Sequence, residues 1–164
     1  MMKNFILTAD QAEKKLQRMA YEIAERNVGE SKIVLAGIKE NGVVIARQLK
    51  DLLKDILKAE IEIFEVSLDK RNPGEIRLSA QKKLDDCVII LVDDVANSGK
   101  TMLYSLKPFL DFHPKKIQTL ALVDRTHKTF PVHTDYVGYS LATTLQEQIF
   151  VEVSKDKVTG AWLE

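Results

Sequence analysis

Two apolar rhythms alternate along this chain. A helical one opens at "TADQ", where Thr8 and Gln11 have the spacing of a capping box. Leu16, Met19, Ala20 and Ile23 then fall on one helical face, and Gly29 follows the end. "KIVLAGI", Lys32 to Ile38, is a continuous apolar run of strand length. Helical spacing returns from about Gly42 to Leu57, with Val44, Ala46, Leu49, Leu53 and Ile56 available to a buried side. "EIEIFEVSL" alternates as a strand does, and a polar, turn-rich excursion follows it. "CVIILV" is apolar throughout, as expected of a strand covered on both faces. The spacing predicts a helix from about Gly99, which Pro108 must shorten or kink. "KIQTLALVD" is a further strand, and "DYVGYS" and "QIFVEVS" are shorter ones. Strand alternating with helix through the first two thirds predicts an α/β fold with a mainly parallel sheet.

Length and composition narrow this picture. The 164 residues suit a single domain, long enough to bury about two thirds of its unfolded surface. Lys plus Arg and Asp plus Glu balance at 24 each, which disfavours a chain living mainly on electrostatic affinity for nucleic acid. The lone cysteine, Cys87, excludes an internal disulfide and a cysteine-based zinc cage, and is expected to be a packed thiol. His113, His127 and His133 lack metal-ligand spacing. No apolar run reaches the roughly 20 residues of a membrane helix, and a cytoplasmic protein is expected.

The candidate chemistry lies in "VIILVDDVANSGKT". Ligands of open α/β sheets bind beyond the carboxyl ends of strands, where the pattern places Asp93 and Asp94. Ala96, Ser98 and Gly99 let a backbone approach phosphate oxygens, and the Ser98 and Thr101 hydroxyls add donors. Two carboxylates would repel that phosphate unless they face hydroxyls or a metal. A ribose 5-phosphate carries both a phosphate and vicinal hydroxyls. A P-loop is excluded, because its first glycine would fall at Asp94, and no Gly-x-Gly-x-x-Gly marks a dinucleotide site.

That stretch resembles the diphosphoribosyl-binding signature of type I phosphoribosyltransferases. "AYEIAERNVG", "IVLAGIKENGVVIARQL", "LALVDRTH" and "TDYVG" are similar, in order, to segments of the pyrimidine-operon attenuators that double as uracil phosphoribosyltransferases. The resemblance implies the type I fold as a single domain over 1–164, with a flap at about 67–80 and a small carboxyl-terminal hood at about 136–150. It also implies roles. Asp93 and Asp94 would hold the ribose hydroxyls of phosphoribosyl diphosphate and, indirectly, Mg²⁺. Val95, Ala96, Asn97, Ser98, Gly99, Lys100 and Thr101 would complete the donor site around the 5′-phosphate. Ile38, Lys39, Glu40 and Asn41 would present N–H groups to the diphosphate.

Lys70 and Arg71 would reach in from the flap, and Tyr136, Val137, Tyr139 and Asp124 would line the base side. Asn41 stands where attenuator-like chains usually carry Arg, which implies one charge fewer on the leaving group. Asn97 and Ala142 depart from the purine pattern, so a pyrimidine such as uracil is the expected acceptor. Tyr139 and "TTLQEQ" depart from the attenuator-like hood as well. A homodimer or higher oligomer is implied, with Arg125 near a subunit contact. Two other classes remain open: an RNA-binding regulator using Lys14, Lys15 and Arg18 on one side of the first helix, and a catalytically weak member that senses the donor or a nucleotide.

Overall fold

Which residues line the site follows from how the strands are buried and ordered. The computed structural model describes residues 3–69, 71, 74–79 and 83–164. β1 (Asn4–Thr8) leads into α1 (Ala9–Arg26), whose capping box is formed: Thr8 accepts from the Gln11 backbone and the Gln11 side chain accepts from Thr8 N–H. After Gly29, at φ 81°, come β2 (Lys32–Ile38), α2 (Asn41–Leu53) and β3 (Glu60–Ser67). A two-residue β4 (Arg77–Leu78) precedes β5 (Val88–Ala96) and α3 (Lys100–Ser105). Pro108 acts as expected: α3 stops early and passes into a 3₁₀ turn, Lys107–Asp111. β6 (Lys116–Arg125), β7 (Tyr136–Leu141), β8 (Ile149–Ser154) and β9 (Lys157–Leu163) complete the chain.

The large sheet has the order β4-β3-β2-β5-β6-β7, parallel except for the β3–β4 pair. Its central strands are apolar on both sides because both sides are covered. Ile33, Leu35, Val88, Ile90 and Val92 pack into a core with α1 and α2. Their neighbours Val34, Ala36, Ile38, Ile89 and Leu91 pack into another with Met102 and Phe109. α2 ends at Leu53 rather than Leu57, leaving Ile56 in the turn beyond it, and matches the expected register only in part, for Val43 and Ile45 take buried positions while Val44 is half-buried.

A second, three-stranded antiparallel sheet has the order β1-β9-β8. Its inner residues Leu7, Ile149, Val151, Val158 and Ala161 join the core of α1 and α2. The stretch 136–150, where the sequence places the hood, contributes β7 to the edge of the large sheet and only the start of β8 to the small one. No helix among the described residues is long and apolar enough to cross a membrane.

Candidate active site

Asp93 and Asp94 do not follow the end of their strand, as the apolar run alone implies. They lie inside β5, which continues to Ala96 because β6 keeps pairing with it through Val95–Val123 and Ala96–Asp124. Asp93 is buried and accepts from the Asp94 backbone N–H at 2.9 Å. Asp94 is half-buried, with Oδ1 accepting from Val95 N–H at 2.8 Å. Beyond the two acids the chain wraps a cavity of about 180 Å³, lined by every residue from Asp93 to Met102 and by Ile149 of the small sheet. That is room for several waters, or for a group on the scale of a phosphate.

The loop is held open by its backbone. Gly99 adopts φ 87°, a left-handed conformation that other residues take at a cost, and starts α3. The Ser98 carbonyl accepts from both Thr129 and Phe130 N–H, each at 3.0 Å, so the segment after β6 braces the loop from outside. The Ser98 hydroxyl accepts from Lys100 N–H at 3.3 Å.

The turn from Ile38 to Asn41 comes to the same place through close packing. A Cβ on Gly42 would lie 2.5 Å from the Val92 carbonyl oxygen and 3.3 Å from Asp93 Cα, so α2 begins in backbone contact with β5. Glycine is what allows that approach. Not all four turn residues offer N–H groups outward as expected: Lys39 N–H donates to the Val66 carbonyl at 3.0 Å, extending the β2–β3 pairing, and Ile38 is fully buried. The Lys39–Glu40 peptide is cis. The Lys39 ammonium is 3.9 Å from Glu65. Asn41 points into the site, its Nδ2 donating to Asp94 Oδ2 at 3.0 Å and to the Val151 carbonyl of β8 at 2.9 Å.

The remaining candidates divide. Lys70 lies outside the described residues. Arg71 is exposed, its backbone N–H donating to Asp69 Oδ1, on the segment that leaves β3 beside the Ile38–Asn41 turn. Asp124 is 9% exposed and committed internally, Oδ1 accepting from Lys128 Nζ at 2.6 Å and from the Thr134 hydroxyl at 2.9 Å. Lys128, absent from the sequence-based candidates, also lies against the loop, with Cδ within 3.6 Å of where a Gly99 Cβ would be.

Tyr136, expected on the base side, is a core residue. Its hydroxyl donates to Gln118 Oε1 at 2.8 Å, it has no exposed surface, and burial pushes the phenol above its ordinary value. The Val137 carbonyl accepts from Arg18. Tyr139 lines a separate cavity of about 410 Å³ with Lys14, Lys15 and Arg18. Arg18 is occupied there by Glu22 and by the Val137 and Gly138 carbonyls, so the expected basic stripe contains an internally bonded arginine. Arg125 donates to the Thr144 carbonyl within its own chain.

Comparison with known proteins fits this geometry. A family model described as "Phosphoribosyl transferase domain" matches residues 4–156. The chain belongs to the phosphoribosyl transferase family. Within it, similar proteins include the "Bifunctional protein PyrR" of Pediococcus pentosaceus, 38% identical with 93% of each chain covered. The protein of the same name from Enterococcus faecalis is 33% identical, with 94% of this chain and 92% of the relative covered. Among solved structures, the hypoxanthine phosphoribosyltransferase of Trypanosoma cruzi superposes with TM-score 0.79 at 15% identity, over 98% of this chain and 95% of that one. A hypoxanthine-guanine phosphoribosyltransferase of Bacillus anthracis gives TM-score 0.72 at 22% identity, over 86% and 84%. At such identities the two structures share the type I phosphoribosyltransferase fold with this chain, and their bases carry no weight for it.

Proposed function

We propose that this phosphoribosyltransferase moves the 5-phosphoribosyl group of phosphoribosyl diphosphate to a pyrimidine base such as uracil, releasing diphosphate. The observation that carries the reading is the convergence of a phosphate-sized cavity, two adjacent carboxylates and the Ile38–Asn41 turn on one sheet end. In this reading the loop from Ala96 to Thr101 takes the 5′-phosphate, Asp93 and Asp94 take the ribose hydroxyls, and the turn takes the diphosphate. Lys70 and Arg71 close from the flap.

The donor set suits an Mg²⁺ that arrives on its substrate. No group of three or more His, Cys, Asp or Glu among the described residues forms a protein cage. Two carboxylates beside a substrate diphosphate are the pattern such an ion uses. Mg²⁺ would neutralise charge gathering on the leaving diphosphate. The protein's share is to fix the sugar, hold the phosphate and exclude water while the ribosyl carbon passes from diphosphate to base nitrogen. Asn97 and Ala142 support a pyrimidine over a purine, and a cytoplasmic homodimer accords with the family resemblance.

The test is base-dependent diphosphate release with Mg²⁺, offering uracil, orotate, hypoxanthine, guanine, xanthine and adenine. Release with uracil or orotate, reduced at least a hundredfold by Asp94→Asn, is expected. Release with purines only would overturn the assignment of base. Donor binding without release would move the protein to a sensor. The second reading, an RNA-binding regulator, draws on Lys14 and Lys15 beside the 410 Å³ cavity. It requires RNA affinity that falls steeply with salt.

A further inference from the structure

We propose that Asn41 is a positioning residue that orients Asp94 and ties the small sheet to the ribose end of the site. The proposal rests on the functional reading above. By charge alone Asn41 contributes nothing to a diphosphate site, yet its amide nitrogen is bonded on both sides. An amide nitrogen carries two hydrogens, and here one faces Asp94 Oδ2 at 3.0 Å and the other the Val151 carbonyl at 2.9 Å. Asp94 Oδ1 takes Val95 N–H at 2.8 Å, so both carboxylate oxygens are fixed from the protein side. A carboxylate accepts about four hydrogen bonds, which leaves lone pairs for two sugar hydroxyls in a set orientation.

The second half of the bridge reaches a different layer. Val151 is a buried residue of β8, two positions from Ile149, which lines the phosphate cavity. One neutral side chain at the start of α2 therefore joins three elements: β5 through its carboxylate, β8 through a carbonyl, and the turn expected to hold the diphosphate. A cation at position 41 would take the Asp94 carboxylate as its own ion-pair partner and draw it away from the sugar hydroxyls. A carboxylate there would repel Asp94 and donate to neither partner.

The chemistry predicts an order of effects that packing alone does not. Asn41→Asp is isosteric, so a packing role makes it the mildest change and Asn41→Ala the more damaging one. The bridging role reverses this. Calorimetry of phosphoribosyl diphosphate with Mg²⁺ should show Kd rising about tenfold for Asn41→Ala, further for Asn41→Asp, and rising rather than falling for Asn41→Arg. Hydrogen exchange in β8 should slow on donor binding in the wild-type chain and not in Asn41→Ala. Asp94→Asn serves as the control for the site itself.

Donor binding by the wild-type chain, its loss in Asp94→Asn and unchanged Kd across the Asn41 variants would overturn the positioning role alone. Tighter binding by Asn41→Arg would also overturn it, in favour of a simple charge deficit at the leaving group. Absence of donor binding by the wild-type chain would overturn the functional reading, and this role with it.

Discussion

Gly42→Ala is the smallest perturbation that tests how the site is assembled. The added methyl carbon would sit 2.5 Å from the Val92 carbonyl oxygen and 3.3 Å from Asp93 Cα. Ordinary contact begins near 3.4 Å, so α2 and β5 must separate by about 0.9 Å, and the atoms it meets are backbone that cannot rotate away. Forcing an extra methyl into a filled contact costs about 1–3 kcal/mol. In a chain of this size that lowers Tm by roughly 2–12 °C. The displaced element carries the Ile38–Asn41 turn, and misplacing a catalytic arrangement by about 1 Å costs on the order of a hundredfold in rate. Diphosphate release should therefore fall far more than the residual stability explains, at a temperature where the variant remains folded. Wild-type Tm and wild-type turnover in Gly42→Ala would refute the claim that this backbone contact positions the turn.

Lys128→Met should destabilise by about 3 kcal/mol, because it strands the nearly buried Asp124 carboxylate without its ammonium partner. In chemical denaturation, adding Asp124→Asn should recover part of the loss, and an additive double mutant would contradict the pairing. Tyr136 carries a pH signature. Burial first, with hydrogen bonds and Arg26 acting against it, raises its phenol above the ordinary value of about 10. Its stabilising contribution is then complete below that value and is lost as pH rises through the higher folded-state value. Phenolate absorbance should show one of the four tyrosines ionising late, together with unfolding, and Tyr136→Phe should remove that step. Four tyrosines titrating together in the folded chain would contradict the burial argument.

The central strands were legible because burial on both faces leaves an unambiguous pattern. β2 runs from Lys32 to Ile38, the bounds its apolar run implies. The Thr8–Gln11 cap was legible because its partners are three residues apart. What the sequence hid depends on distant partners. The apolar run stops at Val92, yet β5 continues to Ala96 because β6 supplies ladder bonds along its flank. "NFILT" and "KVTGAWL" are short and mixed, and become β1 and β9 through each other.

Tyr136 could be read equally as a stacking ring or a core ring, and Gln118 and Asn27 decide it for the core. Asn41 looked like a missing charge, since its bond to Val151 spans 110 positions. Lys128 sat in "DRTHK", where no helix sets Asp124 and Lys128 on one face, and the pair forms only because the chain turns back after β6.

The pairing of β1 with β9 bears on how the molecule comes into being. β1 ladders with β9, from Asn4 opposite Leu163 to Thr8 opposite Gly160. During synthesis the large sheet can assemble while β1 still waits for a partner made some 150 residues later. The phosphate loop and both acids would then exist on the nascent chain before β8 arrives to receive the Asn41 amide. The strand before last, β8, therefore completes a pocket whose phosphate loop and acids belong to earlier elements.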